Sequence, residues 1–137
     1  YLGRLTNLLN HGFPVLLTRL RESYSVTEYV RRYTEAPLRY NFGISTLALT
    51  FADNFYGELP GGLLEATGKL FAYNVKAYGH TMSADAFRRH LGQSSIGAGH
   101  VREPVDDTVT VENLELEPPV GQLYRYLVEA GWIESIG

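Results

Sequence analysis

The sequence predicts a mainly α domain, a small bundle of five or six short helices with a minor β element near residues 105–116. Three observations lead there. Apolar residues recur at helical spacing in several separate stretches. Glycine and proline punctuate those stretches. One β-branched run, Thr108-Val109-Thr110-Val111, reads plainly as a strand. The 137 residues suit a single domain over 1–137. An apolar content of 45% supplies a core without disulfide staples. The chain begins at Tyr1 rather than Met, so it reads as a processed chain or a piece of a longer protein.

Leu2, Leu5, Leu8 and Leu9 mark the first helix, and Gly12 closes it. Pro14 suits the first turn of a second helix bearing Val15, Leu16, Leu17 and Leu20. Ser25 and Glu28 have the spacing of a capping box, with Tyr24 and Tyr29 at the staple positions. Val26, Tyr29, Val30 and Tyr33 make an apolar stripe on that helix. Arg31 and Arg32 come late in it, where positive charge suits the dipole, and Pro37 ends it. Leu38, Tyr40, Phe42 and Ile44 then alternate, which predicts a short extended piece. A helix capped by Ser45 follows, through Leu47, Phe51 and Phe55.

Leu59-Pro60-Gly61-Gly62 is a turn. Leu63, Ala66, Leu70 and Ala77 predict a helix running to about Tyr78, weakened at Gly68. Ser83 caps a short helix with Asp85 in its first turn and Arg88, Arg89 and His90 in its last, stopped by Gly92. Residues 92–99 form a loop. The strand at Thr108 extends through Leu114 and Leu116 until Pro118-Pro119. The last helix carries Leu123, Tyr126, Leu127 and Ala130. Gly131 closes it, and Trp132 folds back on Leu127 as in a Schellman ending.

Composition excludes several functions. Cysteine is absent, so thiol nucleophiles, zinc–thiolate sites and disulfides are out. No apolar run approaches the roughly 20 residues of a membrane helix, and no signal-peptide pattern opens the chain. Localisation stays open, cysteine-free composition being compatible with the cytoplasm. His11, His80, His90 and His100 share no helix face and match no metal motif, so neither a metal nor a cofactor is expected.

Charge is unevenly spread. Arg4, Arg19, Arg21, Arg31, Arg32 and Arg39 crowd the first forty residues, whereas Glu103, Asp106, Asp107, Glu112, Glu115 and Glu117 occupy 103–117. The favoured expectation is that the two ends neutralise each other within the fold. The other is a basic face that meets an acidic partner.

Ser94, Ser95, Gly97 and Gly99 form the best candidate anion loop, since glycines let backbone amides converge on a phosphate. Ala98 stands where a Walker sequence needs lysine, so a plain connection is the simpler reading. Ser94 and Ser95 lie near His90 and His100, but Gly-x-Ser-x-Gly is absent. A small enzyme built on loop 92–99 is therefore one alternative, and no catalytic residue is assigned.

A second alternative comes from the ending Leu123, Leu127, Gly131, Trp132, Ile133. Over about fifteen residues it resembles the helix-then-strand close of winged-helix domains. That resemblance implies nucleic-acid binding, with Arg88 and Arg89 on the helix offered to a groove. Net charge of −3 weighs against it.

The favoured function is non-catalytic: a protein-interaction or assembly subunit. Ten tyrosines, six phenylalanines and ten arginines stand against only Lys69 and Lys76. Tyr, Trp and Arg anchor interfaces, and Lys is depleted there. Tyr29, Tyr33, Tyr40, Tyr73, Tyr78, Tyr124 and Tyr126 exceed what one small core can hold, so some should lie outside. The expected interface is Tyr29, Arg31, Arg32, Tyr33, Tyr124 and Trp132, and the expected partner is another protein or a second copy of the chain.

Overall fold

The computed structural model describes residues 2–136. Its centre is a parallel sheet, which corrects the expectation of a mainly α bundle: this is a small α/β fold. Strands β1 (Leu38–Gly43), β2 (Val75–His80) and β5 (Ile133–Ile136) pair in the order β1-β2-β5, both pairings parallel. A two-stranded antiparallel sheet joins β3 (Met82–Ser83) to β4 (Thr108–Val109). Helices α1 (Leu2–Asn10), α2 (Ser23–Arg31), α3 (Ile44–Thr50), α4 (Gly62–Leu70), α5 (Ala84–Gln93) and α6 (Val120–Glu129) complete the fold, with a 3-10 turn over Asp53–Tyr56.

The error lay mostly in residues 71–80. Ala77 continues the spacing of Leu63, Ala66 and Leu70, but α4 stops at Leu70. Tyr73 then turns the backbone left-handed at φ 66°, and Val75, Ala77 and Gly79 are buried alternately with less buried neighbours. Alternation therefore decides this segment, and it becomes the central strand.

Register sorts the sheet into two faces. Leu38, Tyr40 and Phe42 lie beside Val75, Ala77 and Gly79, and Ala77 lies beside Ile133. This face enters a core that also holds Ile44, Leu47, Phe51, Phe87, Val109, Val111, Tyr124 and Leu127. The opposite face carries Arg39, Asn41, Lys76, Tyr78, His80, Glu134 and Ile136, none of them buried. An all-parallel sheet is normally covered on both faces, and this one is covered on one.

Local expectations fare unevenly. Ser83 caps α5, its hydroxyl accepting from the Ala86 amide at 3.2 Å. α5 runs one residue past Gly92. Gly131 is left-handed at φ 82°, and the amides of Gly131 and Trp132 donate to Val128 and Leu127, which is the Schellman pattern.

The Ser25–Glu28 capping box does not form. α2 begins at Ser23, and the Ser25 amide donates to the Glu22 carbonyl, so Ser25 is already inside the helix. Ser45 is likewise inside α3, whose N-cap is Gly43. Residues 13–21 do not form the helix expected after Pro14, and nothing packs on their leucines to support one. The β element near 105–116 shrinks to β4 plus a bridge between Val101 and Leu116, because Thr110 and Asn113 bond each other and turn the chain. The helix-then-strand ending is present, but β5 joins β2 in parallel instead of forming a wing hairpin.

Gly79 shows how tightly the central strand is packed. A Cβ there would stand 2.7 Å from Val111 Cγ2 and 3.2 Å from a Leu47 methyl. Gly79→Ala should destabilise the domain by about 1–3 kcal/mol, as overpacking does, read as a lower urea midpoint at unchanged m.

Candidate functional site

Of the six expected interface residues, three share an exposed surface and three hold the fold. Tyr29 and Tyr33 sit one helical turn apart with ring centroids 5.4 Å apart, and Tyr33 is 74% exposed. Arg32 beside them is exposed. Arg31 turns inward: its guanidinium donates to the carbonyls of Thr34, Ala36, Ala72 and Asn74 at 2.9–3.3 Å. Tyr124 is 1% exposed, donates to the Val111 carbonyl at 2.7 Å and meets Phe51 edge-on. Trp132 packs its ring edge-to-face on Phe71. Tyr124 and Trp132 thus serve the core, because the Schellman turn and the α6 face aim them there.

Tyr73 was counted among the surplus tyrosines but not placed in the site. It is 69% exposed and lines one groove with Arg31, Arg32 and Lys69. Its left-handed backbone is uncommon for a non-glycine residue, and no sequence signal announces it. Arg31 and Arg39 hold the turn, both donating to the Asn74 carbonyl.

A buried polar knot fixes α2 beneath this surface. Thr27, fully buried, donates to the Leu70 carbonyl at 2.9 Å. Its hydroxyl also lies 2.7 Å from the Tyr40 hydroxyl, which reaches the Ser23 carbonyl at 2.9 Å. Burial raises the Tyr40 pKa despite these bonds.

The segment before α2 has the opposite character. α1 buries none of its residues. Leu2, Leu8, Leu9, Phe13, Leu16, Leu17 and Leu20 are all exposed, Leu16 at 71%. Residues 2–20 therefore form an arm whose apolar side chains do not enter the core. Large apolar side chains scattered singly over a surface are ordinary, but seven exposed within nineteen consecutive residues are a concentration.

The arm is also cationic. Arg4, Arg19 and Arg21 lie before Glu22, and all fifteen carboxylate side chains come at or after it. The expected neutralisation between the two ends does not occur. Among the described residues, the acidic segment pairs instead with Arg88, through Glu103, and with Arg102, through Glu115 and Glu117. These partners are nearer in sequence, and their geometry satisfies the carboxylates without the arm.

No protein-family model, curated protein or solved structure matches the chain. The site is accordingly read from its own geometry.

A cleft of about 390 Å³ opens at the root of the arm. Arg21, Glu22 and Ser23 line it together with Ser45, Thr46, Leu49 and Thr50 of α3, Phe55 and Tyr56, His90 and Gln93 of α5, and Ser94 and Ile96. Within it, Ser45 Oγ lies 3.3 Å from His90 Nδ1. Tyr56 donates to the Thr50 carbonyl at 2.6 Å. Burial pushes its hydroxyl up to about 12, with Tyr24 and Glu22 nearby adding to the rise.

The loop after α5 is not an anion nest. Neither Gly97 nor Gly99 takes positive φ, so the alternation of hand that gathers amides is missing. Ser94 instead accepts from the Ile96 amide at 3.0 Å, and His100 Nε2 donates to the Ala48 carbonyl at 2.8 Å. Ser95 is exposed. Among the described residues no cluster of three or more His, Asp or Glu could hold a metal ion. Among the described residues no helix is long and apolar enough to cross a membrane.

Two outcomes follow from these contacts. Arg31→Ala should lower stability by about 1–2 kcal/mol by leaving carbonyls without their charged donor. Arg31→Lys should restore little of it, since a point charge cannot reproduce the fork; thermal melts check both. The second outcome concerns Tyr56, which is protonated in the fold up to about pH 12 but ionises near 10 when unfolded. The unfolded state then binds fewer protons than the native state between these values, so stability falls as pH rises from 10 to 12. Melting temperature against pH, with tyrosinate absorbance followed in parallel, checks it.

Proposed function

We propose that this chain is an assembly module whose partner is a second copy of itself. The observation that carries this reading is the arm, seven large apolar side chains exposed on residues 2–20 and none of them in the core. Each copy also has a parallel sheet with one face bare, where folds of this kind place a covering element. Each copy therefore offers an apolar segment that needs a surface and a surface that lacks cover. Charge points the same way: the arm is cationic without a carboxylate, and every carboxylate lies on the remainder. Attraction between unlike patches speeds encounter and sets orientation, while the leucines supply burial.

Tyr29, Arg32, Tyr33 and Tyr73 are exposed as well, and Tyr and Arg are residue types that anchor interfaces.

Size exclusion with light scattering should show a dimer or larger species, dissociating at about micromolar concentration or below. Leu16→Asp with Leu17→Asp should yield a folded monomer, because neither side chain touches the core. High salt should weaken association without abolishing it. A wild-type chain that stays monomeric at high concentration and low salt overturns the proposal.

A further inference from the structure

We infer that the cleft at the arm's root is an acyl-transfer site, with Ser45 as nucleophile and His90 as its base. Two residues forty-five apart in sequence are brought to 3.3 Å, hydroxyl to ring nitrogen, inside an open cleft. Ser45 is 2% exposed, and among the described residues no other hydrogen bond holds its hydroxyl. A buried hydroxyl whose one partner is an imidazole is the arrangement that activates serine. In the tautomer that carries its proton on Nε2, Nδ1 accepts and the serine hydroxyl donates to it.

Sequence alone associated His90 with Ser94, which lies nearer along the chain. Ser94 turns to the Ile96 amide instead. Ser45 follows β1 directly, so the strand-to-helix junction places the hydroxyl at the sheet's edge, and α5 brings the histidine alongside α3.

The lining sets the substrate class. Leu49, Phe55 and Ile96 supply apolar lining and Arg21 supplies a cation. A cleft of about 390 Å³ holds a small ester with an apolar acyl group. Ser45 Oγ bonds to the acyl carbon while its proton passes to His90 Nδ1. The carbon–oxygen bond to the leaving group breaks, and the alcohol departs with that proton. Water then attacks the acyl-serine, His90 takes the water proton, and the carboxylic acid leaves as Ser45 regains its hydrogen.

The test is labelling of the whole chain with an alkyl fluorophosphonate, followed by intact and peptide mass spectrometry. One adduct on Ser45 is expected, lost in Ser45→Ala and unaffected in Ser95→Ala, an exposed serine outside the cleft. His90→Ala, at an exposed position that leaves the core intact, should slow labelling by roughly 10²-fold or more. Circular dichroism confirms that each variant is folded. No adduct, an adduct on any other serine, or a labelling rate unchanged by His90→Ala overturns the inference. None of these results depends on whether the chain self-associates.

Discussion

β2 pairs in parallel with both its neighbours, and most of the architecture follows from that constraint. Parallel strands cannot be joined by a tight turn, so each connection must leave the sheet and return. The first crossover, residues 44–74, carries α3 and α4; the second, residues 81–132, carries α5, β4 and α6. Only this looping lays α5 against α3 and brings His90 to Ser45. The same pairing aligns Val75, Ala77 and Gly79 with the apolar residues of β1 on one face, and β2 can sit in the middle because those side chains are small.

The fold is satisfied on that face and unfinished elsewhere. Its interior holds no unpartnered buried side-chain polar atom among the described residues. Tyr124, Thr27 and Tyr40 all find partners. Outside, the arm and the bare sheet face lack the burial their composition and geometry imply. The polar interior is thus fully partnered among the described residues, while seven large apolar side chains of the arm stay exposed.

Short-range signals translated only in part, for the Ser25–Glu28 box, the Ser45 cap and the helix after Pro14 did not form. Ser83 as a cap, Gly131 with Trp132 as a helix close, and the turn at Pro60 each depend on residues within a few positions of one another. The parallel sheet did not translate, because its pairings join residues tens of positions apart. Its strands are short enough for Val75 to Tyr78 to continue a helical spacing by coincidence. The site divides along the same line. Tyr29, Arg32 and Tyr33 stand out by composition and lie outside as such residues can. Tyr124 has the same composition, but its position on α6 turns it inward. Ser45 read as a helix cap, and its contact with His90 arises only from the crossover.

Arg21, Glu22 and Ser23 belong to two places at once, closing the arm and walling the cleft. A partner seated on the first would therefore lie next to the second. If occupancy of one alters affinity at the other, thermodynamic linkage requires the effect to run equally in both directions. Three consecutive residues are thus common to a domain's outside and its cleft, and a coupling of that kind would need no separate relay.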